Sequence, residues 1–368
     1  MEAVFRPLKS ITEVTTMLPL RILFTLILLT GIFSWGSPNA ARADAEDGRL
    51  DIYFIDVEGG AATLFVTPSG ESMLIDSGYP DLNGRDRDRI LNVVRKVAGL
   101  KKIDHAAVTH WHRDHYGNHA SLASQIKIGT FWDRGIPDAL MEDGQFVDRI
   151  ANYRRATQNK SKAVKPGDML SVKSGKTKFS VKIITASRNV IPNKGPANPF
   201  AKLHQAKPED KSDNAASVSF LVQFGKFKFL CCGDLTWNIE AKLMTPNNPI
   251  GQVDMFMATH HGLPSSNNPA MVLAIDPRVI VMCNGPTKGG SADVLETFGK
   301  VQSLQALYQL HRNIKLKAAE QTPAKFIANS GTTADCQGVL VKASIAPDGG
   351  SYTVQIGVDG KERTYVTR

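Results

Sequence analysis

Three histidines and one aspartate fall within six residues of the stretch Thr109-His110-Trp111-His112-Arg113-Asp114-His115-Tyr116-Gly117-Asn118. Neutral imidazole and carboxylate are ligands for zinc, and they also suit manganese and iron. The whole chain of 368 residues has nine histidines, so chance does not account for three of them here. The spacing suits two cations: His110 and His112 can turn toward one ion while Asp114 and His115 reach a second. The same residue types recur at Gly233-Asp234 and at His260-His261-Gly262.

Something must hold these residues in place. Ala106-Ala107-Val108-Thr109 is a short apolar run and reads as a buried strand, so the ligands occupy the loop at its C-terminal end. Strands are expected over 51–57, 62–67 and 73–76, with a turn at Pro68-Ser69-Gly70. Asp76, at the end of the third, is read as orienting the histidine loop. Ile90, Leu91, Val94 and Val97 recur at helical spacing within 84–97, and 118–124 reads as a short helix. A strand follows over 128–132, then a helix over 137–157, then strands over 169–172 and 179–185. The stretch 188–213 is rich in Pro, Asn and Lys, has no period and contains His204. Val218, Phe220, Val222 and Phe224 alternate, and Phe227, Phe229 and Cys231 alternate back, forming a hairpin that ends at Asp234. Asp234 could instead cap a helix over 235–244. Strands at 254–259 and 279–283 lead into His260-His261 and into the glycine-rich turn from Asn284 to Ser291. Such a turn can hold an anion on its backbone N–H groups, helped here by Lys288; a purely structural turn is the alternative. The helix from Ala292 is expected to run through Leu307 and Leu310 to His311. Strands over 339–344, 352–356 and 363–366 are expected to form a C-terminal β extension, a small sheet packed on the main domain.

The H-x-H-x-D-H spacing, with Tyr53 to Gly60 and Leu74-Ile75-Asp76-Ser77-Gly78 ahead of it, resembles the metallo-β-lactamase-fold hydrolases. The opening Asp56 to Ala62 is most similar to the ComEC-type branch. The resemblance covers roughly residues 48–300 and implies an αββα four-layer sandwich. It implies metal ligands His110, His112, Asp114, His115, Asp234 and one of the pair His260 and His261. Asp234 bridges two ions, His261 is the favoured ligand, and His260 then faces substrate as a proton donor beside Asp114. Asn214, Lys288 and Ser266 are candidates for substrate contact. One departure stands out. Most members supply a third histidine to the first ion from a loop ahead of the bridging aspartate, but Asp213-Asn214-Ala215-Ala216-Ser217 has none. His204 is the nearest substitute in sequence.

Arg6, Lys9 and Arg21 precede the apolar run 22–33, and Ala41-Arg42-Ala43 follows, which is the layout of a secretory signal peptide. The expected organisation is a signal over 1–45, a hydrolase domain over 46–330 and the β extension over 331–368, with the mature protein periplasmic or secreted. An uncleaved anchor is the alternative. The formal charge is +9 and stays positive after cleavage, which favours anionic substrates. Basic residues are dense from Arg154 to Lys182 but lack interleaved aromatics for base stacking, so a solvated face is the simpler reading. Of the four cysteines, Cys231 and Cys232 are adjacent and must face opposite sides of a strand. They are expected as buried free thiols, although an oxidising compartment permits disulfides.

The expected activity is hydrolysis by hydroxide generated on two divalent ions, zinc first, with manganese or iron as alternatives. A phosphoester or phosphodiester, nucleic acid included, is the first substrate class. A carboxylic ester, lactone or lactam is the second. A non-catalytic binding protein of the same fold is the third.

Overall fold

The structure is a computed structural model and describes residues 47–80 and 82–368. The signal-peptide segment over 1–45 lies outside the described residues. Among the described residues, no helix is long and apolar enough to cross a membrane.

Among the described residues, two nine-stranded sheets make up the fold. The first runs, in spatial order, Arg363–Val366, Ser351–Ile356, Val341–Ile345, Leu50–Phe54, Thr63–Val66, Ser72–Ile75, Lys102–Ala107, Lys127–Asp133 and Lys162–Ala163. The second runs Ile327–Asn329, Ala306–His311, Val279–Met282, Met255–Met257, Phe227–Cys231, Ser219–Phe224, Phe179–Ala186 and Met169–Leu170, with Asn189–Val190 added against Phe179–Ala186. Hairpins make the sheets antiparallel where the sequence alternates, as at Ser219–Phe224 with Phe227–Cys231. From Phe227–Cys231 to Ile327–Asn329 the pairing is parallel.

Apolar side chains show why two sheets stack. Phe54, Phe65, Val222, Phe229 and Val281 belong to one core between the sheets. Along single strands the neighbours of these residues point outward. Leu230, Ile280 and Met282 join a second core under the helices Trp237–Met244, Pro269–Ile275 and Ala292–Gly299. Tyr53, Leu64 and Leu74 join a third core under the helix Arg85–Asn92. Phe131, Phe146, Ile150 and Tyr153 form a fourth under Phe146–Ala156. Strands buried on both faces read as continuous apolar runs, as Val279–Met282 does. The result is the expected four-layer αββα sandwich. Cys231 lies in the inter-sheet core and Cys232 in the outer one, and all four cysteines are free thiols.

Three sequence expectations need correction. Only Phe146–Ala156 of the stretch 137–157 is helical, and Pro137 to Gln145 is irregular. His311 ends a strand, not a helix, because Ala306, Tyr308 and Leu310 alternate into the inter-sheet core. The C-terminal strands do not form a separate small sheet. Val341–Ile345 pairs antiparallel with Leu50–Phe54, so the strands widen the first sheet past its first strand.

Candidate active site

Each segment of the site leaves the C-terminal end of a strand, where α/β sheets place ligands. Asp76 follows Ser72–Ile75, and the histidine loop follows Lys102–Ala107. Asp234, the His260-His261 pair and the glycine-rich turn follow Phe227–Cys231, Met255–Met257 and Val279–Met282. Two glycines allow the segments to close. Gly233 has φ 56°, and a Cβ there would lie 2.8 Å from Thr109 Cβ. A Cβ on Gly60 would meet the Asp114 carbonyl at 2.5 Å. No side chain larger than hydrogen fits either place.

The ligand atoms of Asp114, His115, Asp234 and His261 all lie within 4.8 Å of one another, and all four residues are buried. His115 Nε2 is 3.2 Å from Asp234 Oδ2 and 3.3 Å from Asp114 Oδ2. His261 Nε2 is 3.4 Å and 3.3 Å from the same two oxygens. His110 Nε2 approaches Asp234 Oδ2 at 3.9 Å. None of these three Nε2 atoms makes a hydrogen bond, although all are buried.

The far nitrogens are held. His261 Nδ1 donates to the Cys283 carbonyl at 2.9 Å. A carbonyl can only accept, so the neutral ring presents a bare Nε2 lone pair to the two carboxylates. His115 Nδ1 meets Asp76 Oδ2 at 2.8 Å, and His110 Nδ1 meets Thr109 Oγ1 at 3.0 Å. Asp76 also accepts from Thr109 N and Thr109 Oγ1, each at 2.8 Å. It therefore orients the loop, as its position after the third strand suggested. Lone pairs aimed at carboxylates in a buried space call for a cation between them, and this donor set fits zinc, manganese or iron.

The titration of the protein alone agrees. Burial pushes the Asp234 carboxyl up, but His115, His261 and His260 outweigh it and hold it well below the usual range. Burial also raises Asp114, and His115, His261 and Lys288 bring it well below. Burial lowers His115, but Asp234, Asp114 and Asp76 hold it well above the usual imidazole value. The cluster draws a proton to the position where a metal cation would sit.

The pair His260-His261 is not extended. Both residues are left-handed, with φ 53° and 56°, so both rings approach Asp234 instead of diverging as an extended chain requires. His261 is in the ligand cluster. His260 Nε2 stands 3.4 Å from Asp234 Oδ2 and 3.4 Å from Asn214 Nδ2. Its Nδ1 meets Ser265 Oγ at 2.9 Å and Ser266 Oγ at 3.3 Å. Burial is the main reason the ring's pKa falls to about 4, so His260 is neutral near pH 7.

The other expected residues divide. Lys288 Nζ lies 2.5 Å from Asp114 Oδ2 and 3.3 Å from the Tyr79 hydroxyl, so the glycine-rich turn reaches the cluster. Asn214 touches His260. Ser266 is fully buried beneath His260 and orients that ring instead of meeting substrate. His112 is half-buried, and its Nε2 meets Glu142 Oε1 at 3.0 Å. His204 does not stand in for the missing histidine, because its Nδ1 is engaged by Asn268 Nδ2 at 2.8 Å and it is not among the converging ligands. Asp234 is not a helix cap, since Thr236 occupies that position.

Sequence reasoning missed Glu142, Tyr79 and Glu240. Glu240 is fully buried and accepts from Asn267 N at 3.1 Å and Asn268 N at 2.7 Å. Asn267 in turn bonds Thr259 N and Thr259 O, which fixes the turn bearing His260. Burial raises the Glu240 carboxyl to about 7. The only sequence signal was an acidic residue at helical spacing from apolar Trp237, Leu243 and Met244.

The model of the metallo-beta-lactamase superfamily matches residues 55–246, just over half of the chain and most of these segments. The chain belongs to the metallo-beta-lactamase superfamily. The buried Asp/His cluster is the candidate metal centre of this superfamily member. No curated protein matches it. Among solved structures it is similar to a mutant of the CmlA beta-hydroxylase, with 17% identity and a TM-score of 0.41 over 71% of this chain and 52% of that one. The chain thus spans about half the length of that protein. CmlA from Streptomyces venezuelae is described as a diiron beta-hydroxylase; its identity is 19% and its TM-score 0.36, over 69% of this chain and 47% of that one. A protein from Thermotoga maritima, provisionally described as a zinc-dependent hydrolase of the same superfamily, gives 11% and 0.32 over 71% and 98%.

Proposed function

We propose that the protein is an exported phosphoester hydrolase, acting on a phosphodiester. The observation that carries this is Lys288, whose ammonium lies at the edge of the ligand cluster beside Asp114 and Tyr79. Burial lowers its pKa, but Asp114 and Asp234 raise it further, so it is a permanent cation there. A phosphodiester keeps a negative charge that an ester, lactone or lactam lacks at its reacting carbon. The positive formal charge of the chain points the same way. The opening Asp56 to Ala62 supports a ComEC-like substrate preference, nucleic acid included, and residues 1–43 support export.

Asp114, His115 and His261 would hold one cation, His110 and His112 a second, and Asp234 would be shared. Zinc is the proposed metal, with manganese and iron as alternatives. Bound there, the pair supplies an acidified water and neutralises charge on phosphoryl oxygens. The chain's own groups do the rest. Lys288 and the Tyr79 hydroxyl hold a non-bridging oxygen and set the phosphorus before the nucleophile. His260, neutral and fixed by Ser265, can take the nucleophile's proton at Nε2 and return it to the leaving oxygen. Asn214 keeps that ring in line.

A panel of bis-p-nitrophenyl phosphate, single-stranded DNA, a lactone and nitrocefin tests the reading. Turnover of the phosphodiesters is expected, and Lys288→Ala should weaken it by about 10- to 100-fold. Turnover of the lactone or nitrocefin alone would replace this reading with hydrolysis of a carboxylic derivative.

A further inference from the structure

We infer that the cleft behind the histidine loop is a second anion site, separate from the metal centre, that holds the phosphate groups of a ligand. The cleft encloses about 790 Å³, a volume that suits a small organic ligand. It is lined by Pro80 and Gly84, by the segment after the histidine loop from Tyr116 to Ser124, and by the helix Phe146–Ala156. The site does not depend on the metal centre being a phosphodiesterase.

Four guanidinium groups, those of Arg87, Arg113, Arg149 and Arg155, line the cleft, and among the described residues no carboxylate does. They come from three separate helices, Arg85–Asn92, Arg113–Tyr116 and Phe146–Ala156. Charged side chains that served only for solvation would spread apart into water. Converging like charges repel one another, and an anion between them removes that cost. Asp88 and Asp143 answer part of it, pairing with Arg87 at 2.8 Å and with Arg149 at 2.6 Å, yet neither lines the cavity. Arg155 pairs with no carboxylate among the described residues, and its Nη2 donates to the neutral Asn152 side chain. Gly84 has φ 78°, and a Cβ there would collide with the Arg87 guanidinium, so the glycine leaves that group room against the wall.

The chemistry of the lining selects phosphate. Guanidinium presents its N–H groups in a planar fork that grips two phosphate oxygens at once, and it stays charged at any working pH. A phosphate group offers more oxygens than one arginine uses, so two guanidinium groups can share it. The aromatic residues of the cleft, Tyr116 and Tyr153, are 6% and 1% exposed, so neither ring face is open for stacking on a base. Recognition is therefore of phosphate and not of nucleobase. Arg155 belongs to the basic stretch that begins at Arg154, so that stretch is not wholly a solvated face. Arg113 turns to the cleft while its neighbours in the same short helix, Asp114 and His115, turn to the ligand cluster.

Calorimetric binding of inorganic pyrophosphate and of a short single-stranded oligothymidylate to the full-length chain, before and after metal removal by chelation and dialysis, tests this. At least one probe should still bind after metal removal, with an affinity that falls as salt rises. Arg87→Gln and Arg155→Gln should each weaken that binding at least about tenfold, with the zinc content of the metal-loaded chain unchanged. Lys173→Gln and Lys176→Gln, exposed in the same basic stretch but outside the cleft, should leave it within about twofold. Pyrophosphate binding at least as tightly as the oligonucleotide identifies a free phosphorylated molecule as the ligand, and the reverse order identifies phosphates along a strand. The inference fails if neither probe binds after metal removal, or if the arginine variants bind as the unaltered chain does. It fails equally if the lysine variants lose as much as the arginine variants, because the attraction would then be diffuse charge.

Discussion

Two buried clusters of aspartate and histidine stand out among the described residues, and they are built in opposite ways. Around Asp234, His110, His115 and His261 have Nδ1 held and Nε2 unbonded toward the carboxylates. Around Asp56 the pattern inverts. His311 Nε2 meets Asp56 Oδ1 at 2.7 Å, and the nitrogen across its ring, Nδ1, is the unbonded one. The Cys336 thiol donates to Asp56 Oδ2 at 3.1 Å, and burial followed by Asp56 pushes that thiol up to about 12. Arg89 pairs with both Asp56 and Glu58 at 3.0 Å. Aspartate, histidine and cysteine there have ligand-like spacing, yet their atoms satisfy one another and a guanidinium already supplies the positive charge. A metal site is distinguished less by residue types than by ligand atoms that the protein leaves without partners. One cluster binds; the other fastens the turn at Asp56 to the strand ending in His311.

The same substitution in each cluster tests that contrast most severely. Asp234→Asn would remove the charge shared by the two proposed dications, whose repulsion at ~4 Å would be several kcal/mol even at an effective dielectric of about 20. Metal content should fall from two toward one or none, and turnover by more than about a hundredfold, while the fold survives because Asp234 is not the N-cap of the following helix, a position that belongs to Thr236. An Asp234→Asn variant with two tightly bound cations would erase the distinction. Asp56→Asn should behave in the reverse manner. It removes the carboxylate that His311, Cys336 and Arg89 share while Arg89 keeps Glu58, for a stability loss of about 1–3 kcal/mol. Denaturant unfolding should show that loss, and elemental analysis should show full metal content.

The smallest predicted effect separates both clusters from another buried histidine, His119. His119 Nδ1 meets Ser77 Oγ at 2.7 Å, and burial lowers its pKa from 6.5 to about 4. A base depressed in the folded state contributes stability that is complete above the unfolded pKa and is lost as pH falls. The unfolding free energy of the metal-free protein should therefore decline between pH 6.5 and 4, by at most about 1.4 kcal/mol per pH unit from this group, and the melting temperature with it. His119→Gln should flatten that slope. An unchanged slope would mean that other groups, His260 among them, dominate the acid limb.

How much of this was legible in the sequence follows from distance along the chain. His110, His112, Asp114 and His115 sit on one loop, so their spacing alone announces a ligand set. Asp234 and His261 were legible because each ends an apolar run. Glu142 was not, because it lies in an irregular stretch that Leu140 and Phe146 made look helical, and its partners come from far away at Asp213 and His112. His311 was misassigned because Leu307 and Leu310 fit a helical spacing as well as a strand, and only the opposing sheet decides between them. Likewise, nothing local tells Asp56 that it will meet His311 and Cys336.

The pairing of Leu50–Phe54 with Val341–Ile345 has a kinetic consequence. Its register joins Leu50 to Ile345, so one of the earliest strands waits for nearly the last. Contacts of such high order close slowly. Until the final segment arrives, the first strand offers one ladder of unpaired amides and carbonyls to any extended neighbour. The nascent chain is therefore exposed to mispairing throughout its synthesis, and a version ending before Val341 should aggregate although every metal ligand is present.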